Sequence, residues 1–270
     1  MQLCDFELQG AIDGEIQTDP SSTVSETITR ANTDIHVSVC SSAATWLIHG
    51  DIVPKLTRNA DPCTATGCKW PKQGPYVTVP ITISSTYNTE ERNIIIGGLL
   101  SFHQSTCIRF VWKNQTHQDY LHFFSGTGQV LVLCGPSEPE QPISLRADVR
   151  EQPISLRRNG CLYRSTVQHE VLHALGFHHE QVRSDRDKYV SILTGNIQPG
   201  MEGNFEKVKT NNLETTYDFN SVMHYSNKAF SKNGNPTIIA RSNPNLTFGF
   251  ATEMSANDIA RVNKLYQCCE

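Results

Sequence analysis

Twelve residues, from His169 to Glu180, read H-E-V-L-H-A-L-G-F-H-H-E and constrain the chain more than any other stretch. His169 and His173 are four residues apart, so on a helix their side chains share one face, about one turn apart. Imidazole nitrogen is a good zinc ligand at that separation, and Glu170 between them is placed to act as a general base. The stretch therefore predicts a helix that supplies two zinc ligands and a base.

Gly176 predicts where this helix ends, because glycine accepts the left-handed backbone that turns a chain back after a helix. The turn would let a third histidine approach the same metal ion. Two histidines follow, and the spacing H-E-x-x-H-x-x-G-x-x-H selects His179 and leaves His178 as a spare. This longer signature is that of the metzincins, which also carry a methionine turn downstream.

Residues 221–225 read S-V-M-H-Y and supply that turn, with Met223 as its methionine. Glu180 and the R-S-D-R-D of residues 183–187 extend the signature. With these motifs the chain resembles the astacin family of zinc endopeptidases, from roughly Asp51 to the C-terminus. The resemblance implies a zinc metalloendopeptidase that binds one Zn²⁺ per chain.

The same resemblance implies an α+β fold in which two subdomains flank a zinc cleft. We expect a propeptide over residues 1–58 and a peptidase domain over residues 59–270. Residues 59–176 would form a twisted sheet with two long helices. Residues 177–270 would be mostly irregular, with one terminal helix.

The resemblance also assigns roles around the metal. His169, His173 and His179 would be the ligands, and Glu170 and Tyr225 the catalytic residues. Tyr225 would also serve as a fifth ligand in the resting enzyme, moving away to stabilise the oxyanion. Met223 would be a packed floor under the metal, and Glu180 a structural acid near the new N-terminus of the mature chain.

A Gly-Asp pair at residues 50–51 resembles the latch of astacin propeptides, in which the Asp carboxylate binds zinc in place of the catalytic water. Asp51 would thus be a zinc ligand in the zymogen only. Arg58 and Asn59 follow in a polar segment, which suits cleavage by a trypsin-like protease. Without the family, the Gly-Asp pair is a turn signal and nothing more.

The chain contains nine cysteines, many for a cytosolic protein, which indicates an oxidising compartment. The spacing of Cys63 and Cys68 permits a local disulfide, a pair that resembles the six-cysteine astacins of fish, including the hatching enzymes. By the same resemblance we expect Cys134 to pair with Cys161, and Cys107 with Cys268 rather than Cys269. Cys4 and Cys40 stay open: they pair with each other or remain free.

One segment, E-Q-P-I-S-L-R, occurs twice without change, at residues 140–146 and 151–157. Two copies are too few for a repeat architecture. In the family pattern a cysteine directly follows the S-G-x-G segment, here residues 125–128, but Cys134 lies several residues later. The register of the strand that edges the substrate cleft, and with it substrate binding, therefore stays open. An alternative function, a catalytically weak paralogue that binds protein without cutting it, therefore stays open.

Net charge is −4, and no basic run is long enough to predict nucleic-acid binding. No segment approaches the ~20 apolar residues of a membrane span. N-glycosylation sequons at Asn114 and Asn245 agree with a secreted protein, although residues 1–10 have no apolar run typical of a signal peptide. We expect a secreted monomer, stored in secretory granules, that acts on extracellular proteins such as those of the egg envelope.

Several elements can be predicted from periodicity and capping signals. Residues 76–83 alternate like a strand, although Pro80 favours a sheet edge or a bulge. Asn88 and Glu91 predict the start of a helix over residues 89–104. Ser165 and Gln168 have capping-box form, and residues 255–265 read as a terminal helix capped by Ser255. Residues 107–112, 120–124 and 189–192 read as strands.

Overall fold

A computed structural model of the chain describes Asp51 and residues 69–125, 150–158 and 160–268. The expected α+β architecture is observed in this part of the chain: a sheet and two helices precede Gly176 there, and a mostly irregular segment with one terminal helix follows it. The strands are β1 (Lys72–Gln73), β2 (Tyr76–Ile83), β3 (Ile108–Trp112), β4 (Asp119–Phe124), β5 (Arg150–Ser155), β6 (Val190–Ile192) and β7 (Ile238–Ala240), and the α-helices are α1 (Thr89–Ser105), α2 (Arg164–Ala174) and α3 (Ala256–Tyr266).

Strand β2 is the centre of the main sheet, not its edge. It pairs in parallel with both β3 and β4, and in antiparallel fashion with β1. Pro80 is tolerated because the amide of Val77 faces β3, so the nitrogen of Pro80 three residues later faces the other side. On that side of β2, the pairing with β1 ends at Val77 and the pairing with β4 begins only at Ile81. Proline has no amide hydrogen, but no neighbouring strand among the described residues needs a hydrogen bond from this position.

Helix α1 begins as its capping signals predict. The side chain of Asn88 accepts from the amide of Glu91, whose carboxylate accepts in return from the amide of Asn88. The inward face of the helix is buried, and Gly98 lies against α2. A Cβ atom on Gly98 would stand 2.6 Å from a methyl carbon of Val167, so the glycine lets the two helices approach closely.

Helix α2 does not begin as predicted. Its N-cap is Tyr163, which makes no side-chain capping bond, and Ser165 lies within the helix. The side chain of Gln168 is buried and forms tertiary bonds instead: it donates to Ser101 (2.8 Å) and accepts from the amide of Met254 (2.9 Å). Tertiary partners therefore override the local capping pattern at this end.

The second copy of the duplicated segment forms most of β5. This strand pairs with β4 in parallel, with Leu121 opposite Gln152 and Phe123 opposite Ile154. Ile154 is fully buried in the main core. The first copy, at residues 140–146, lies outside the described residues. The sequence analysis missed this strand, because its duplicate obscured it.

Helix α3 is docked onto the N-terminal half. Ser255 caps it and shares a capping box with Asp258, as the sequence predicts for its start. The predicted disulfide between Cys107 and Cys268 is present and ties the end of the helix to the start of β3. A bridge that spans 161 residues of sequence is expected to stabilise the fold by roughly 5 kcal/mol in the chain-entropy estimate.

Cys161 has a free thiol in this structure and is buried in the main core, shortly before α2. Its predicted partner, Cys134, lies outside the described residues, so the bond between Cys134 and Cys161 stays a prediction. Burial, with the nearby charge of Glu170, raises the pKa of Cys161 to about 11, so the thiol is protonated at neutral pH. A protonated, buried thiol is a poor nucleophile for disulfide exchange.

Other predicted features also fall outside the described residues and stay predictions. They are the propeptide apart from Asp51, the cleavage site at Arg58 and Asn59, the Cys63–Cys68 bond, and the states of Cys4, Cys40 and Cys269.

Among the described residues, no helix is both long enough and apolar enough to cross a bilayer. Asn114 and Asn245 are exposed, so a glycan could be attached at either sequon without unfolding the chain. Glycosylation itself stays a prediction.

Candidate metal centre

Helix α2 carries the first part of the site. His169, Glu170 and His173 are all fully or almost fully buried on it. The helix ends at Ala174, and Gly176 takes a φ of +102°, the left-handed conformation that glycine accommodates. The chain turns back at this glycine, as the sequence predicts, and brings His179 to the same point as the two helical histidines.

The Nε2 atoms of the three histidines converge. His169 Nε2 lies 3.1 Å from that of His173 and 3.1 Å from that of His179, and the last two are 3.3 Å apart. His178 is not a member of this group. The spacing rule thus selected the correct histidine of the adjacent pair.

Asp51 supplies a fourth donor atom. Its Oδ2 lies 3.2, 3.4 and 2.9 Å from the Nε2 atoms of His169, His173 and His179, respectively. The six distances among the four atoms thus range from 2.9 to 3.4 Å. A tetrahedron whose centre is about 2.0 Å from each corner has an edge of about 3.3 Å. That centre-to-corner distance is the usual zinc–nitrogen and zinc–carboxylate distance, so the four side chains fit a tetrahedral zinc ion.

Backbone carbonyls orient two of the ligands. His169 Nδ1 lies 2.9 Å from the carbonyl oxygen of Val222, and His173 Nδ1 lies 2.7 Å from that of Phe177. A carbonyl only accepts, so each Nδ1 carries the proton and each Nε2 presents its lone pair to the centre. Burial lowers the pKa of His169 and His179, which favours the neutral form that a metal ligand requires.

Glu170 is fully buried, yet neither of its carboxylate oxygens has a hydrogen-bond partner among the described residues. Burial first, and then the charge of Asp51, raises the pKa of Glu170 well above its usual range. A buried carboxyl group without partners is costly. The fold therefore tolerates an unsatisfied acid directly beside the first ligand, where a proton acceptor for the metal's water would be needed.

The methionine turn closes the site from the other side. Met223 is buried in the main core, and its carbonyl accepts from the amide of Glu180 (2.9 Å). The ring of Tyr225 is buried 4.7 Å from that of His179, centroid to centroid. The structure thus places the tyrosine next to the third histidine and the methionine in the packed core.

Glu180 has a partner that the sequence analysis missed. It lies buried after His179 and accepts two hydrogen bonds from Arg261 of α3, with Nη1 to Oε2 at 2.6 Å and Nη2 to Oε1 at 2.9 Å. Burial would lower the pKa of Arg261, but the Glu180 carboxylate raises it above its ordinary value. An arginine on the buried face of a predicted helix indicates that it has an acidic partner. Nothing in the sequence identifies that partner as Glu180, which is 81 residues away.

Three histidines outside this group make local contacts. His103 Nε2 accepts from the amide of Phe110, His117 Nδ1 accepts from the amide of Asn114, and His122 shares a hydrogen bond with Thr82.

Comparison with known proteins agrees with this geometry. Residues 66–267 match the peptidase family described as Astacin. The chain is 42% identical over 224 residues to high choriolytic enzyme 1 of Oryzias latipes, covering 82% of this chain and 78% of that protein. It is 39% identical over 225 residues to the low choriolytic enzyme of the same fish, covering 82% and 78% of the two chains.

The solved structure of high choriolytic enzyme 1, a hatching enzyme zinc-protease from Oryzias latipes, superposes with a TM-score of 0.67 at 41% identity, covering 78% of this chain and 100% of that one. The structure of myroilysin, at 18% identity and a TM-score of 0.51, shares the fold, covering 74% of this chain and 96% of that one. The family match spans most of the chain, and the donor set fits zinc. This chain therefore belongs to the astacin family and is a zinc metalloendopeptidase.

Proposed function

We propose that the chain is the secreted zymogen of a zinc endopeptidase, held latent by Asp51 and activated by cleavage between Arg58 and Asn59. One observation carries the proposal: the Asp51 carboxylate lies at the fourth corner of the ligand tetrahedron, fully buried. A catalytic zinc site keeps that position open for water. A carboxylate there excludes the water and therefore suppresses hydrolysis.

The position of the proposed cut explains release. Arg58 follows Asp51 by only seven residues in sequence, so cleavage leaves Asp51 near the end of the removed peptide. The carboxylate is then no longer held at the site by the chain on its C-terminal side. Its effective concentration at the metal falls once the peptide can dissociate.

Glu170 is the proposed general base. When bound, zinc acts as a Lewis acid that activates water and polarises the scissile carbonyl. Glu170 would accept the proton of the attacking water and return it to the amine as the carbon–nitrogen bond breaks, so the enzyme ends the cycle unchanged. Its unsatisfied carboxylate oxygens leave it free to accept that proton.

Tyr225 is the proposed donor to the oxyanion. Its ring packs beside His179, and Phe205 and Phe230 contact its other sides, with ring centroids 6.0 and 5.5 Å away. A phenol held by packing is a preorganised hydrogen-bond donor. The proposed second role, as a fifth zinc ligand in the resting enzyme, is supported by the family resemblance and by the packing of the ring against the third histidine.

Proteins of the egg envelope are the proposed substrates. The relatives reported above carry choriolytic names, and one is described as a hatching enzyme zinc-protease. We further propose that the chain is a monomer, stored in granules and then secreted. We propose that a trypsin-like protease activates it, because Arg58 lies in a polar segment that suits such a cut.

The test is hydrolysis of casein by the purified chain before and after limited trypsin treatment, with and without a zinc chelator. N-terminal sequencing verifies the cut, and a trypsin inhibitor is added before the assay. Activity that arises only after the cut and disappears with chelator supports the proposal. A verified cut at Arg58 that yields a zinc-loaded but inactive protein would refute it in favour of the non-cutting paralogue.

A further inference from the structure

Helix α3 contacts the back of the metal site through two charged side chains. Asp258 and Arg261 are one turn apart on its buried face and expose only 2% and 8% of their surface. Neither is a metal ligand in the geometry described above. Each is bonded to a group that directly adjoins or orients one of the ligands.

Arg261 acts on the side of His179. Glu180 follows that ligand, and the guanidinium binds its carboxylate at two points (2.6 and 2.9 Å). The amide of Asp218 donates to the same carboxylate (2.7 Å), and the amide of Glu180 itself donates to the Met223 carbonyl (2.9 Å). The backbone just after His179 is therefore fixed by a bidentate charged contact from α3, a strong and geometrically specific one.

Asp258 acts on the side of His169. Its carboxylate accepts from the hydroxyl of Ser221 (2.6 Å) and from the amide of Val222 (3.0 Å). The carbonyl of Val222 in turn accepts the proton of His169 Nδ1 (2.9 Å). Asp258 therefore fixes the backbone of Val222 through its amide, and the carbonyl of Val222 orients His169.

We propose that Arg261 and Asp258 are positioning residues that hold His179 and His169 in the geometry of the metal site. The inference rests on the proposed assignment of the three histidines as zinc ligands. Groups beyond the ligands that orient them commonly affect metal affinity by about 10- to 100-fold when removed. Two of the three imidazoles thus depend on a helix that begins at Ala256, far from both in sequence.

A purely structural role is the competing explanation, because both residues also help to dock α3. A control on the same helix separates the two roles. Asn263 donates to the carbonyl of Ser105 (2.9 Å) and so docks α3 onto the end of α1, away from the ligands and the residues beside them. Asn263→Ala should weaken docking but leave zinc binding unchanged.

The experiment measures zinc affinity by chelator competition in the full, uncut chain, for wild type, Arg261→Met, Asp258→Asn and Asn263→Ala. Cobalt-substituted samples provide an absorption spectrum that reports ligand geometry independently of stability. We expect Arg261→Met and Asp258→Asn to bind zinc about 10- to 100-fold more weakly and to shift the cobalt bands. Asn263→Ala should stay within about twofold of wild type, since it lies outside the ligand network.

A double variant keeps the test decisive if Arg261→Met unfolds, because that change leaves Glu180 buried without its cation. Glu180→Gln combined with Arg261→Met removes both charges, and we expect it to fold and still to bind zinc more weakly than wild type. Wild-type affinity and an unchanged cobalt spectrum in the folded variants would overturn the positioning role. Failure of the wild-type chain to bind zinc would instead refute the ligand assignment.

Discussion

Replacement of Asp51 by alanine should release the latch without proteolysis. The Asp51 carboxylate is fully buried and lies 2.9–3.4 Å from three imidazole nitrogens. Because the three imidazoles are neutral ligands, the charge that this carboxylate would face is that of the bound zinc ion. Breaking a buried charged pair by removal of one partner typically costs about 3–5 kcal/mol. Since each ~1.36 kcal/mol is a factor of about ten, the population of the closed state relative to the open state should fall by roughly two to four powers of ten.

The assay is casein hydrolysis by the uncut chain, in an Arg58→Gln background that blocks the proposed activating cut. We expect Asp51→Ala to be at least ~100-fold more active than its parent, by the estimate above. Asp34→Ala, a replacement of another upstream aspartate, should stay latent. Adding Glu170→Ala to the Asp51→Ala variant should abolish the activity and so exclude a contaminating protease. An Asp51→Ala chain as silent as its parent would refute the latch.

Three further predictions concern the base, the duplicated segment and the helix contact. Glu170→Ala should retain zinc, measured by native mass spectrometry, while turnover of the activated enzyme falls by about 10²–10⁴-fold; unchanged turnover would remove it as the base. Ile154→Asp should prevent cooperative folding, because it buries a charge in the core. The same change at Ile143, in the identical first copy, should leave the melting temperature unchanged. The reverse pattern would mean that the first copy forms β5. Gly98→Ala should lower the free energy of unfolding in urea by up to about 3 kcal/mol through overpacking against a valine of α2, less any gain of about 1 kcal/mol in helix propensity. A Cβ atom on Gly203 would have no other atom within 4 Å, so Gly203→Ala should leave the free energy of unfolding nearly unchanged. Equal effects at both glycines would contradict the close contact between the helices.

The sequence predicts the metal site well because its determinants are local. Spacing of four on a helix, a glycine with positive φ and a third histidine three residues later suffice to bring His169, His173 and His179 together. The start of α1 is equally local, since Asn88 and Glu91 bond each other across one turn. Each of these patterns needs only residues that are near one another in the chain.

Features that depend on distant partners could not be predicted. Ser165 and Gln168 have the form of a cap, but Gln168 is drawn into bonds with Ser101 and Met254. Pro80 suits an interior strand only because the neighbouring strands leave a gap at its nitrogen. The pairing of Glu180 with Arg261 joins two elements whose approach is decided by core packing rather than by any local signal.

The duplicated segment shows a different limit. Its two copies have identical local propensities, so no local rule can assign β5 to residues 150–155 rather than to the first copy. The second copy comes shortly before α2 in the chain, which limits how far it can lie from the zinc helix. Its Leu156 is buried, and the carbonyl of Leu156 accepts from the hydroxyl of Tyr87 (2.7 Å). Tertiary contacts and the connection to the zinc helix, rather than sequence preference, thus decide that this copy forms the strand.

Crystallographic anomalous scattering at the zinc edge, from crystals of the uncut chain, tests the central claim most directly. We predict one zinc peak per chain, about 2.0–2.2 Å from the Nε2 atoms of His169, His173 and His179 and from a carboxylate oxygen of Asp51. A zinc ion with water in the fourth position and Asp51 elsewhere would contradict latency through Asp51. A peak at any other group of residues would contradict the metal site itself.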